Sequence, residues 1–247
     1  MSRPQPRKLI IIKKRQISPH MLRVTLGGDE ISTIPEDQES GYVKLIFPNG
    51  EEKPLMRTYT IRHQRPTEID VDFVLHEDSG PASSWAQNSK VGDSILIGGP
   101  GSKRMIHMPS DWYLLASDMT GLPALSVNLE QLPDSAIGYA VIEIINEKDK
   151  QPLNHPKGIE IFWLENDSPG EKPDALLNQI KRLDWLEGSV GIWAACEFSS
   201  MKNLRRFFKQ EKHLDRQQMY ISSYWKQGIN EDQHKVEKSK DAELNEI

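Results

Sequence analysis

The character of this chain changes near Pro109-Ser110-Asp111, from closely spaced strands to strands alternating with helices, and that change limits the fold more than any single motif does. Before it, apolar residues alternate in short runs, which predicts strands over 9–17, 21–27, 42–47, 55–62, 69–75 and 94–98, with one short helix over 83–87. Turn formers separate them: Gly27-Gly28-Asp29, Pro48-Asn49-Gly50 and Val91-Gly92-Asp93. Short strands so closely spaced predict a six-stranded antiparallel Greek-key β-barrel. After the change, a buried run over 112–116 leads into an amphipathic segment over 122–132. Strands over 139–145, 159–164, 189–195 and 219–222 then interleave with helices over 174–183 and 200–208. Such interleaving predicts a parallel α/β sheet covered on both faces, the architecture that binds nucleotides. The expected domains are therefore a cofactor-binding barrel over 1–109, a nucleotide-binding α/β domain over 110–230 and a charged tail over 231–247. The tail lacks an apolar face and reads as a frayed helix or a disordered segment.

Composition removes several function classes. A formal net charge of −5 argues against general nucleic-acid binding. No apolar run reaches the ~18 residues of a membrane span. The four apolar residues Leu9 to Ile12 are too few for a signal-peptide core. Cys196 is the single cysteine, so no intrachain disulfide, thiolate zinc site or iron–sulfur cluster can form. These points favour a cytoplasmic protein whose redox chemistry, if any, is carried by a bound organic cofactor.

Two segments of the barrel half carry chemistry. Arg57, Tyr59 and Thr60 put a cation, an aromatic plate and a hydroxyl on one strand. An ordinary half-exposed strand also suits these residue types. His76 then ends a strand, and Gly80-Pro81-Ala82-Ser83-Ser84-Trp85-Ala86 starts a helix. A helix start leaves N–H groups unpaired and can hold phosphate oxygens. A plain capped helix with Trp85 in the core is the alternative. In the second half, Asp118-Met119-Thr120-Gly121-Leu122-Pro123-Ala124 joins a strand to a helix, where parallel sheets bind dinucleotides. Cys196 and Glu197 end another strand at the same edge. Cys196 reads as a small buried residue, since no neighbouring base in the sequence would activate it. Glu147 closes the second strand, where an acid bonds a ribose 2′-hydroxyl; Lys148 and Lys150 would instead accept a phosphate. Tyr224-Trp225-Lys226-Gln227-Gly228 leaves the last strand and offers aromatics to cover a flavin, or simply to close the core.

Together these segments resemble the siderophore-interacting protein family, the flavin-dependent ferric-siderophore reductases of the ferredoxin–NADP reductase-like superfamily. The elements carrying the resemblance span residues 8 to 234: Arg57-Thr58-Tyr59-Thr60, the strand Asp70 to His76 with Asp72, Phe73 and Val74, Gly80 to Ala86, Gly92-Asp93 with Gly99-Pro100-Gly101, Asp118 to Ala124, and Tyr224 to Gly228. The resemblance implies non-covalent FAD held by Arg57, Thr58, Tyr59, Thr60, Asp72, Phe73, Val74, His76, Ala82, Ser83, Ser84, Trp85 and Ala86. Asp118, Thr120 and Glu197 line the nicotinamide side, and Tyr224, Trp225 and Lys226 lie near the flavin or its adenine. The family usually has Ala-Gly-Glu at 195–197 and often Ala at 121, where this chain has Cys196 and Gly121.

The implied activity is transfer of electrons from NADH or NADPH through FAD to Fe(III) in a siderophore, releasing Fe(II). A catecholate ferric siderophore is anionic, so Lys44, Lys53, Lys103, Arg104 and Lys226 are candidate substrate contacts. A ferredoxin is a further candidate partner, and the chain is expected to act as a monomer, with neither nucleic acid nor membrane as partner. The rival readings are a ferredoxin- or flavin-linked oxidoreductase on the same fold, a non-catalytic siderophore-binding module, and an oligomeric scaffold.

Overall fold

The computed structural model describes residues 5–50, 52–75 and 80–244. The chain forms two compact units, Met1–Arg104 and Met105–Ile247.

The first unit is a closed barrel. Its strands are β1 (Arg7–Ser18), β2 (Met21–Gly27), β3 (Tyr42–Phe47), β4 (Leu55–Arg65), β5 (Glu68–Val74) and β6 (Ser94–Gly101). They close in the order β1-β2-β5-β4-β3-β6, every neighbouring pair antiparallel. The period-two pattern does this work: Val24 and Leu26, Val43 and Leu45, Val71 and Phe73, and Ile95 and Ile97 all point into one core. Each contributes roughly 1.5–3 kcal/mol of burial. Helix α1 (Pro81–Asn88) lies between β5 and β6 and adds Ala82 and Ala86 to that core. Glycines at the end of β6 permit close approach. A Cβ on Gly101 would stand 2.0 Å from the Tyr42 ring, and Gly99 has φ +101°.

The second unit holds β7 (Trp112–Ser117), α2 (Leu122–Gln131), β8 (Ile137–Ile144), β9 (Gly158–Glu165), α3 (Ala175–Ile180), β10 (Val190–Glu197), α4 (Phe198–Arg206), β11 (Met219–Trp225) and α5 (Glu231–Leu244). The strands form a parallel sheet in the order β11-β10-β7-β8-β9. Trp112, Leu114 and Ala116 of β7 pack with residues of α3 and α4. Ser117, on the alternate face, meets the start of α2 at Gly121. The sheet order reverses between β7 and β10, and ligands of such sheets bind at the carboxyl ends of the strands there.

Two elements differ from the sequence expectation. The helix expected over 200–208 starts at Phe198 and passes into a π-helical turn, Phe207–Glu211, that buries both Phe207 and Phe208. The charged tail is a helix over 231–244 rather than frayed or disordered. Polar contacts replace the missing apolar face. Gln233 N–H donates to Asn230 Oδ1 at 3.0 Å, and Asn230 N–H donates back to the Gln233 side chain at 3.1 Å, a reciprocal cap. Arg205 of α4 holds Asp241 through two bonds of 2.7 and 2.8 Å. His234 meets Ser223 at 2.8 Å.

Candidate functional site

In the barrel, β4 places Arg57 opposite Leu45 and Tyr59 opposite Val43, so both share the core-facing side of the ladder. Tyr59 is half-buried, and its ring packs on Phe73 with centroids 4.4 Å apart. Phe73 meets Trp85 at 5.9 Å, and Trp85 meets Phe47 at 6.1 Å. One aromatic chain therefore runs from the Tyr59 plate to α1. Gly80 gives the helix no side-chain cap, Pro81 occupies its first turn, and a Cβ on Gly80 would meet nothing within 4 Å. Arg57, a supported aromatic plate and an uncapped helix start fit a flavin dinucleotide: the cation and N–H groups suit its pyrophosphate, the ring its isoalloxazine.

Other residues expected at that site are placed elsewhere. Thr58 and Thr60 lie opposite Lys44 and Tyr42 on the outer side of the ladder, away from Arg57 and Tyr59. Phe73 and Ala86 are wholly buried, so their side chains have no surface left for a cofactor. Ala82 and Ser83 are nearly so, and the Ser83 hydroxyl donates to Val74 C=O at 3.3 Å. Ser84, Trp85 and Val74 are half-buried. Asp72 belongs to an ion-pair network on the outer face. Its carboxylate takes Arg23 Nε at 2.6 Å and Nη2 at 2.7 Å. Beside it, Asp70 accepts from Thr25 Oγ1 at 2.7 Å and Arg65 Nη2 at 2.8 Å, and meets His63 Nδ1 at 3.1 Å. Burial alone would raise the Asp70 pKa, but hydrogen bonds from His63, Arg65 and Thr25 outweigh it and hold the carboxyl well below its usual range. His76 lies outside the described residues. Of the basic candidates, Lys103 pairs with Asp37 at 2.7 Å, while Lys53 and Arg104 are exposed.

At the carboxyl edge of the parallel sheet, Asp118 organises the turn into α2. It accepts from Thr120 N–H at 2.9 Å, Thr120 Oγ1 at 2.6 Å and Gly121 N–H at 3.2 Å. The indole N–H of Trp225 donates to its other oxygen at 2.7 Å. The C-terminal aromatic motif is thereby tied to the turn expected at the nicotinamide side. Gly121 is required here, because a Cβ would stand 2.3 Å from Ala195 C=O. Glu197 caps α4 by accepting from Ser199 and Ser200 N–H, and accepts Gln227 N–H at 3.3 Å. Tyr224 is half-buried, and Lys226 bridges to Glu237 at 3.1 Å. Glu147 is a solvent-side residue paired with Lys150.

Sequence reasoning missed Glu143. This β8 residue is 7% exposed and accepts from Asn166 Nδ2 at 2.9 Å. Burial pushes its carboxyl up to about 7; the nearby Asp118 and Glu197 act the same way, against the Asn166 bond and Lys172. Burial likewise raises Asp118. The available signal was one charge inside the apolar run Val141-Ile142-Glu143-Ile144, close to a strand's carboxyl end. Cys196 is buried, and burial with the three carboxylates pushes its thiol well up, so it is no nucleophile at rest.

Comparison with known proteins decides the family. The profile described as "Siderophore-interacting protein" matches residues 110–228, and "Siderophore-interacting FAD-binding domain" matches 10–53 and 48–104. Ferric vibriobactin reductase ViuB of Vibrio cholerae is 32% identical, with 96% of each chain covered. The chain belongs to the siderophore-interacting protein family. The siderophore-interacting protein SipS from Aeromonas hydrophila superposes with TM-score 0.86 at 29% identity, covering 96% of this chain and 98% of that one. A siderophore utilization protein from T. fusca gives 0.84 at 30%, covering 92% and 94%. More distant likeness reaches a ferredoxin NADP+ reductase from Neisseria gonorrhoeae, at TM-score 0.65 and 11% identity, which shows the shared two-domain fold alone. The barrel unit is thus the family's FAD-binding domain.

Proposed function

We propose that this protein is an FAD-dependent reductase of ferric siderophores that draws electrons from NADH or NADPH. The observation that carries this is full-length correspondence: 96% of the chain aligns with 96% of a ferric vibriobactin reductase. A further relative, the NADPH-dependent ferric-chelate reductase of Escherichia coli, is 27% identical over 89% of this chain. FAD, when bound, accepts a hydride equivalent and passes on single electrons, joining a two-electron donor to a one-electron acceptor. The overall balance is one NAD(P)H and two Fe(III) giving NAD(P)⁺, two Fe(II) and a proton. A hard-oxygen chelate holds Fe(II) less tightly than Fe(III), so reduction frees the metal.

The residues of this chain bind and orient. Arg57 and the N–H groups at the start of α1 would hold the pyrophosphate, and Tyr59, backed by Phe73, would support the ring. Asp118 fixes the β7–α2 turn through Thr120 and Trp225, and so shapes the surface that receives the donor's nicotinamide half. Lys53 and Arg104, exposed cations on the barrel unit, attract an anionic ferric catecholate. A nicotinamide donor supports a cytoplasmic setting for this activity.

The test is turnover with a ferric catecholate siderophore, Fe(II) being trapped by a ferrous-specific chelator. The expected result is Fe(II) formation with at least one of NADH and NADPH, lost in Arg57→Ala as FAD is lost. Charge reversal at Lys53 and Arg104 should raise KM for the siderophore with kcat preserved. Oxidation of both donors at no more than the siderophore-free rate would overturn the reading.

A further inference from the structure

The α/β unit carries a polar cleft that the reductase reading touches only at Lys226. It lies along α4, has a volume of about 550 Å³, and is walled by Phe198, Lys202, Arg205, Arg206, Lys209 and Lys226 with neighbouring polar side chains. Lys202 and Arg206 stand at i and i+4 on α4, Lys209 follows in the π-helical turn, and all three are exposed.

This clustering works against the helix that carries it. Like charges at i, i+4 destabilise an isolated helix, and here Lys202–Arg206 and Arg205–Lys209 both have that spacing. The nearby acids relieve it only in part. Asp241 pairs directly with Arg205 and reaches Lys202 and Lys209 only at longer range, and Glu237 is held by Lys226 and Lys240. Among the described residues, no carboxylate lies within ion-pair distance of Lys202, Arg206 or Lys209. Phe198 draws cations from two separate elements onto one ring, Lys226 Nζ at 4.8 Å and Lys202 Nζ at 5.7 Å from its centroid. Arg206 is steadied by a 2.7 Å bond to Asn203 Oδ1. In a chain of net charge −5, general basicity does not account for five cations around one cleft.

We propose that this cleft is an anion site for a compact polyanion bearing two or more phosphoryl groups. A guanidinium fork beside ammonium point charges suits phosphate oxygens. Several cations along one cleft suit a di- or triphosphate better than a single anion. The volume falls in the range of small-ligand pockets, about 300–1,000 Å³, and concavity argues against a flat macromolecular interface. Free polyphosphate and a nucleotide's polyphosphate share this chemistry.

Isothermal titration of the full-length flavoprotein with inorganic pyrophosphate, tripolyphosphate and ADP tests the assignment. The expected result is saturable one-to-one binding that weakens as salt rises. The exposed double variant R206Q/K209Q should bind on the order of tenfold or more weaker, the loss expected for removing two charge-assisted contacts. K13Q/R15Q, exposed on β1 of the barrel unit, should bind like the wild type. Equal affinity for pyrophosphate and ADP identifies free polyphosphate as the source, and tighter ADP binding identifies a nucleotide. In the same R206Q/K209Q protein, KM for NADH and NADPH should stay unchanged. Absence of saturable binding at low salt, equal affinity in R206Q/K209Q, or a KM that rises in step with the lost binding would each overturn a separate site.

Discussion

The outer face of the barrel and the carboxyl edge of the parallel sheet both bury acids, and they satisfy them in opposite ways. On the barrel, Asp72 and Asp70 face Arg23 and Arg65. Every buried negative charge there has a cation, and the Asp70 pKa falls. At the sheet edge, Asp118, Glu143 and Glu197 are equally buried, yet their donors are neutral: an indole, an amide, a hydroxyl and backbone N–H groups. There the pKa values of Asp118 and Glu143 rise. Cation pairing makes a scaffold that is indifferent to ordinary changes of pH. Neutral donors leave carboxyls whose charge answers to their surroundings, the usual character of a working site.

The largest effect should come from cutting the barrel network. Asp72→Ala leaves Arg23 buried without its partner, and a loss of about 3–5 kcal/mol is expected in urea unfolding of the first unit. Trp85 is the single tryptophan of that unit and can report it by fluorescence in a variant lacking the others. A loss below about 1 kcal/mol would mean that the pair behaves as a surface ion pair and would erase the contrast.

At the sheet edge, Trp225→Phe removes one neutral donor from Asp118. A loss of about 1–3 kcal/mol is expected, together with slower donor-driven reduction of the flavin in stopped flow. An unchanged reduction rate would separate the Asp118 turn from donor binding.

The contrast sharpens with pH. Glu143 has a folded pKa of about 7, above its unfolded value near 4.5, so its neutral form favours the fold. Its contribution is full below about pH 4.5 and declines as pH rises through 7, by about 3 kcal/mol in total. Asp70 is shifted the other way. Its contribution is full above about pH 4 and is lost on acidification below that. The two units should therefore unfold with opposite pH slopes in calorimetry, and Glu143→Gln should flatten the slope of the second unit alone. An unaltered slope in that variant would assign the effect to another group.

The smallest effect is expected at Cys196. Its buried thiol should resist an aromatic disulfide reagent until the protein is unfolded, and Cys196→Ala should keep turnover within about twofold. Fast labelling of the native protein would show that the sheet edge opens.

The fold was legible because the order of elements differs between the halves, nearly all strands before Pro109 and strands alternating with helices after it: β2 and β3 match the strands expected over 21–27 and 42–47. The tail leaves helix and disorder both open in the sequence because it lacks an apolar face; Asn230 and Gln233 spell a capping box, but Arg205, which anchors Asp241, is distant in sequence. Site residues near local signals, such as the turn at Asp118, were visible. Three features required three-dimensional pairing. Arg23 claims Asp72 from across the β2–β5 ladder. Trp225 reaches Asp118 across 107 positions. Glu143 becomes notable only beside Asp118 and Glu197.

The central claim is that electrons pass from a nicotinamide donor through bound FAD to siderophore iron. An anaerobic absorbance titration of the purified protein, reconstituted with FAD, tests it most directly. The account predicts flavin bands that bleach with NADH or NADPH and return on addition of a ferric siderophore. Flavin bands that neither nucleotide bleaches would contradict the donor, and protein that cannot retain FAD would contradict the claim as a whole.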